Sequence, residues 1–105
     1  MLRPMPKWFV YILRSVEKPF IYVGFTNDVS RRLTEHNSGF VKSTKAYKPF
    51  QLVAYVAVQT EGKARELEKY FKTGSGKAIL KKRIMTGQAL TRSEVGLTDE
   101  APKGA

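Results

Sequence analysis

Apolar residues fall into three dense runs separated by polar, turn-forming stretches. Residues 8–13 (WFVYIL) and 20–25 (FIYVGF) are rich in aromatic and β-branched side chains, which predicts two strands. The intervening SVEKP carries Pro19 and two charges, and suits a hairpin connection. Both runs are nearly continuous in apolar character, so at least one is expected to be central and covered on both faces. Gln51 to Val58 (QLVAYVAV) predicts a third strand. Between the second and third strands, Thr26-Asn27-Asp28 offers three N-caps in a row, Val29 and Leu33 recur at i and i+4, and Asn37-Ser38-Gly39 supplies a stop. That pattern predicts a helix of about ten residues. Thr60 can cap a second helix, with Ala64, Leu67 and Phe71 as its apolar stripe and Gly74 at its end. Ser75 can cap a short third helix with Ile79, Leu80 and Ile84 on its buried side. From about residue 86 the periodicity is lost, so the reading is one domain over 1–85 and a flexible tail over 86–105. The order β-β-α-β-α-α predicts an α+β fold, a small three-stranded, mainly antiparallel sheet with packed helices.

A chain of 105 residues makes one core. Its formal net charge of +10 predicts a polyanionic partner, most often nucleic acid, over an anionic membrane surface or an acidic protein. The surplus sits on the predicted fold. Residues 7–50 carry eight Lys/Arg against three Asp/Glu and residues 61–83 repeat that ratio, whereas residues 84–105 carry two against three. The charge therefore belongs to a folded surface and not to a basic arm. With no cysteine and one histidine, disulfides, thiolate zinc sites and His-rich metal sites are excluded. Any metal must be held by oxygen, which favours Mg or Mn. The N-terminal residues lack the apolar stretch of a signal peptide, and the longest apolar run, Leu52 to Val58, is seven residues and too short to span a bilayer. A soluble, cytoplasmic chain is expected, with a monomer as the default.

Several residues could carry chemistry. Arg32 and His36 lie four apart, one above the other on the first helix. A planar guanidinium suits phosphate, and a neutral imidazole can hold a water or a phenol; an ordinary helix surface has the same pattern. Tyr11 and Tyr22 read either as hairpin core or as hydroxyls that position a water. Gly24, at the end of an apolar strand, marks close backbone approach or an unusual dihedral. Glu68 borders the apolar stripe of the second helix. It is either a flank residue paired with Arg65 or Lys72, or a lone metal-binding carboxylate. Lys42, Lys45 and Lys48 surround Tyr47 in a loop suited to tracking a phosphate backbone and stacking a base, or simply to solvation. The GSG at 74–76 lacks the spacing of a phosphate-binding loop and reads as a helix cap.

Taken in order, Phe9-Val10-Tyr11, Tyr22-Val23-Gly24, Arg32, His36 and Glu68 resemble the GIY-YIG nuclease family over residues 8 to about 84. The EHNSG at 35–39, the KSTKAYKPF loop and the ELEKYFKTGSGK segment resemble its small stand-alone bacterial members, related to the excision-repair endonuclease subunit UvrC. The resemblance implies a metal-dependent endonuclease acting on DNA, with RNA as the alternative partner, and a place in DNA repair or processing. It implies catalytic roles for Tyr11, Tyr22, Arg32 and His36, a single Mg or Mn ion on Glu68, and a structural role for Gly24. Arg31 is the neighbour of the phosphate-contacting Arg32 and a further nucleic-acid contact. Phe9 stands where the family name has Gly, and Phe25 where UvrC-like members have Lys. The competing reading is a nucleic-acid-binding module that keeps the fold and cuts little or not at all.

Overall fold

The computed structural model describes residues 5–85 of the chain. Three strands, β1 (Trp8–Ser15), β2 (Ile21–Thr26) and β3 (Phe50–Val58), form one sheet in the order β2-β1-β3. Both pairings are antiparallel. β1 is thus the central strand, which explains why its apolar run is unbroken: Val10, Tyr11, Ile12 and Leu13 are all buried, on alternating faces. Against β3 the register shifts between Ile12 and Leu13, which pair with Ala54 and Leu52. Val53 is the extra residue of this bulge, and it is buried.

Helix α1 (Val29–Asn37) follows β2, α2 (Glu61–Phe71) follows β3, and α3 (Gly74–Ile79) runs on into π-helical turns over Leu80–Met85. Each α-helix starts on a side-chain cap. Asp28 accepts from the Arg31 N–H, Thr60 from the Lys63 N–H and Thr73 from the Gly76 N–H, each cap worth about 1 kcal/mol. α2 packs across all three strands, placing Ala64 and Phe71 in the core and Leu67 against it. α1 is fastened at its far end by Asn37. The Asn37 amide donates to the Phe50 carbonyl at 3.2 Å and accepts from the Phe50 N–H at 2.6 Å. The side chain thereby mimics a strand edge and pins the end of α1 to the start of β3.

The element order and sheet are as read from the sequence, with local corrections. The third helix is capped by Thr73 and not by Ser75, because the chain turns at once after α2. Thr73 bonds the Tyr70 carbonyl through both its hydroxyl and its N–H. Gly74 therefore opens α3 and does not close α2. Ile79 is 41% exposed and not buried, and Leu80 is the residue that enters the core. The loop between α1 and β3 contains a 3-10 turn at Lys45–Tyr47. The expected burial of Ile84 and the expected tail from residue 86 lie outside the described side chains and residues. No described helix is long and apolar enough to cross a membrane.

Gly76 explains the tightness of the α2–α3 corner. A Cβ there would run into the Tyr70 carbonyl and come within 2.8 Å of the Phe71 Cα, both backbone atoms with little freedom to move. Gly74 has open space around it. Gly76→Ala should therefore destabilise the fold by about 2 kcal/mol, lowering the melting temperature by roughly 10 °C. Gly74→Ala should leave it unchanged or slightly higher. Thermal melts of the two variants check this, and equal melting would remove the close contact as the reason for glycine at 76.

Candidate active site

The centre of the site begins with a missing side chain. Tyr11 and Gly24 are directly opposed on β1 and β2. A Cβ on Gly24 would lie 2.6 Å from the Tyr11 hydroxyl oxygen and 2.8 Å from the Tyr22 ring. Glycine at this position lets the Tyr11 ring lie flat over β2 and lets Tyr22 close beside it. Alternation puts Tyr11, Tyr22 and Gly24 on the same face of the sheet. The two tyrosine ring centres are 6.1 Å apart.

α1 lies over that face and brings both of its candidate residues to the Tyr11 hydroxyl. Tyr11 Oη is 2.9 Å from His36 Nε2, and Arg32 Nε donates to the same oxygen at 3.3 Å. The His36 ring also packs on Tyr22, with centres 4.9 Å apart, and edge-on to Phe50. Its Nδ1 lies 2.8 Å from the Thr44 hydroxyl, which donates onward to the Val41 carbonyl. The network is consistent with one tautomer. With the Thr44 hydroxyl directed to the Val41 carbonyl at 3.4 Å, His36 carries its proton on Nδ1 and offers the Nε2 lone pair to the Tyr11 O–H. The order of donation is Arg32 to Tyr11 to His36 to Thr44 to Val41.

Burial sets the electrostatics. His36 and Thr44 are both fully buried. Loss of solvation, aided by the positive Arg32, lowers the His36 pKa to about 4, against a smaller opposing pull from Glu35. His36 is therefore neutral at pH 7. Burial also pushes the Tyr11 phenol well above its ordinary value, although the Arg32 hydrogen bond opposes the shift. Arg32 is held firmly in its charged form, chiefly by Glu35 at 2.9 Å. The resting centre is a neutral phenol and a neutral imidazole beside a fixed cation.

The remaining sequence-predicted residues occupy different places. Glu68 projects from α2, its side chain 17% exposed, and pairs with Lys72 at 3.1 Å. The Lys72 ammonium in turn lies 5.8 Å from the Tyr22 ring centre. Among the described residues no three His, Asp or Glu side chains converge to cage a metal. One shielded carboxylate suits a hard divalent ion that keeps most of its own waters, and on that chemistry Glu68 fits Mg or Mn. Arg31 is exposed, bonds Asn27 at 3.2 Å and shares Glu35 with Arg32. Lys42, Lys45 and Lys48 are exposed, and the stems of Lys45 and Lys48 cover Gly39, whose φ of +83° turns the chain out of α1. The Tyr47 ring is committed inward. It stacks on Phe20 with centres 3.9 Å apart and planes 8° from parallel, while the Lys18 ammonium lies 5.6 Å from its centre. A cleft of about 340 Å³ between Phe9, Leu52, Tyr55 and the start of α1 is lined by none of the candidate catalytic residues.

Sequence reasoning missed Thr44 and Glu35. Thr44 sits among lysines in a loop read as solvated, yet it is the partner that fixes His36. Nothing in its neighbourhood marks it. Glu35, three residues after Arg32, carries a readable i, i+3 signal.

The His36 shift has a definite sign. Below its ordinary pKa of 6.5 the unfolded chain binds a proton that the folded chain refuses until about pH 4. Stability should therefore fall as the pH drops through this window, by up to about 3 kcal/mol at its lower end. Denaturant melts of wild type and His36→Asn between pH 7 and 4 check this. The variant should lose the pH-dependent step, and a step that persists unchanged would assign it to other groups.

Residues 7–83 match the GIY-YIG catalytic domain family. The chain is 39% identical over 69 residues to the UPF0213 protein YsiG of Lactococcus lactis subsp. lactis, covering 65% of each chain. It is 36% identical over 70 residues to a UPF0213 protein of Bacillus pumilus, covering 66% of this chain and 70% of that one. It thus spans about two thirds of the length of these curated relatives. A solution NMR structure of the UPF0213 protein BH0048 from Bacillus halodurans is 29% identical and superposes with a TM-score of 0.43 over 90% of this chain and 97% of that one. On the match that covers its whole sheet and all three helices, the chain belongs to the GIY-YIG catalytic domain family.

Proposed function

We propose that this chain is a divalent-metal-dependent endonuclease that hydrolyses DNA phosphodiester bonds, with a place in DNA repair or processing. The observation that carries the reading is the Tyr11 hydroxyl, held between a cation and a neutral imidazole. Burial alone calls for one partner to the hydroxyl; the catalytic reading accounts for the second, charged donor on the same oxygen.

In this reading the phosphodiester docks at the rim of the Tyr11–Tyr22 face, beside the part-exposed Arg32 and Tyr22. Arg32 has five N–H donors, of which two groups are engaged by Tyr11 and Glu35. The others meet the non-bridging oxygens and stabilise the charge that grows on them. Water attacks phosphorus and passes its proton to Tyr11 Oη as the phenol proton moves to His36 Nε2; the P–O bond to the leaving oxygen breaks, and that oxygen departs with the bonding pair and takes a proton from solvent water. Free phenolate is avoided, which matters because burial makes it costly. Burial and, after it, the Arg32 charge depress His36; a negative phosphate beside Arg32 offsets the second of these and so makes the imidazole a better acceptor. Tyr22 orients the water or the scissile group. Glu68 would hold the Mg or Mn ion, which supplies charge neutralisation to the leaving and non-bridging oxygens. Arg31, Lys42, Lys45 and Lys48 would track the flanking backbone.

Cleavage assays on branched, single-stranded and duplex DNA with Mg or Mn test the reading directly. Tyr11→Phe keeps the ring over Gly24 and removes one oxygen. It should cost about 1–2 kcal/mol of stability by orphaning its partners, and slow cleavage about 10²–10⁴-fold. DNA affinity should stay near the wild-type value. Wild-type cleavage by a folded Tyr11→Phe would leave Tyr11 as core only. No cleavage by wild type on any of the three substrates, with binding intact, would favour a binding module.

The loop lysines make a separate claim. Replacing Lys42, Lys45 and Lys48 together with Ala should flatten the dependence of log affinity on log salt by about two to three units, since each lost phosphate contact removes about 0.9. An unchanged slope would take the loop out of the interface.

A further inference from the structure

Lys72 has no part in the scheme above, yet it stands inside it. Its ammonium is 3.1 Å from Glu68 Oε2 and 5.8 Å from the centre of the Tyr22 ring. The spacing is i, i+4 with Glu on the N-terminal side, the favourable order on a helix. The carboxylate is the more shielded partner, 17% exposed against 38% for the lysine. A cation therefore already occupies the carboxylate assigned to the metal, and that cation borders the two-tyrosine face.

An ammonium and a hard divalent ion cannot both sit on one carboxylate oxygen without strong mutual repulsion. We propose that Lys72 is a built-in counter-cation that fills the metal's place on Glu68, so that metal uptake requires its ammonium to swing away and Lys72 sets the affinity of the site. This inference rests on the assignment of the metal to Glu68. The four-carbon stem permits the swing, since only the exposed end has to move. The displaced ammonium enters solvent beside Tyr22, where the phosphate backbone of a bound strand would pass. DNA then draws Lys72 off Glu68, and DNA and metal reinforce each other's binding. Glu68 keeps a compensating positive charge in the absence of the ion.

The test is Mn²⁺ binding to the full chain at low ionic strength, followed by loss of the free-ion EPR signal. Lys72→Met is compared with Lys69→Met, which removes an equal charge from an exposed position on the same helix, and with Glu68→Ala. Lys72→Met should bind Mn²⁺ about fivefold more tightly than wild type. Lys69→Met should stay within about twofold, and Glu68→Ala should lose the site. Unchanged or weaker binding by Lys72→Met, with Glu68→Ala still inactive toward Mn²⁺, overturns the inference. So does an equal gain in both lysine variants, which would reduce the effect to net charge. Wild-type binding by Glu68→Ala overturns the metal assignment itself, a separate failure that the same titration distinguishes.

Discussion

A buried phenol hydroxyl needs room and needs partners, and the arrangement of this molecule follows from meeting both demands for Tyr11. The room comes from Gly24, whose missing Cβ would otherwise stand 2.6 Å from the hydroxyl oxygen. The partners come from one helix, through residues a single turn apart. Antiparallel pairing puts Gly24 opposite Tyr11, and the Asp28 cap and the Asn37 clamp fix where α1 begins and ends. Shift any of these and the hydroxyl either clashes or is left unpaired in the core, at a cost of a few kcal/mol.

The same demands decide the charge state. A buried polar chain of this kind stabilises only when each member is satisfied. Here the donors run in one direction from Arg32 to Val41, and no buried side-chain N or O among the described residues lacks a partner. Both rings stay neutral because burial penalises their charged forms; for His36 the positive Arg32 adds to this, against a smaller opposing pull from Glu35. Arg32, fixed by Glu35, is the cation that an anion approaching this centre would meet.

Much of this was legible in the sequence because it rests on periodicity. The nearly continuous apolar runs of residues 8–13 and 20–25 pointed to at least one strand covered on both faces; that strand is β1, while β2 lies at the sheet edge. The spacing of Arg32 and His36 put them on one helical face, which is how they reach a single oxygen. What escaped had no periodic signature. Thr44 lies in irregular chain between lysines, and its burial depends on how the loop folds back onto His36, a tertiary fact. Gly76 read as a cap because a glycine after a helix usually is one; its true constraint is the Tyr70 carbonyl, set by the angle between two helices. Of Ile79 and Leu80, both expected on the buried side of the third helix, Leu80 enters the core and Ile79, where the chain passes into the π-helical segment, does not.

The Asn37 clamp has a consequence for how such a protein can diverge. By bonding both backbone groups of Phe50, it closes the intervening segment into a ring whose two ends are tied at one point. Inside the ring only Thr44 reaches the buried centre, while Lys42, Lys45 and Lys48 point their charges outward. The ring therefore separates two kinds of position. Asn37 and Thr44 hold the buried centre in place, whereas the exposed positions between them can be substituted without disturbing it.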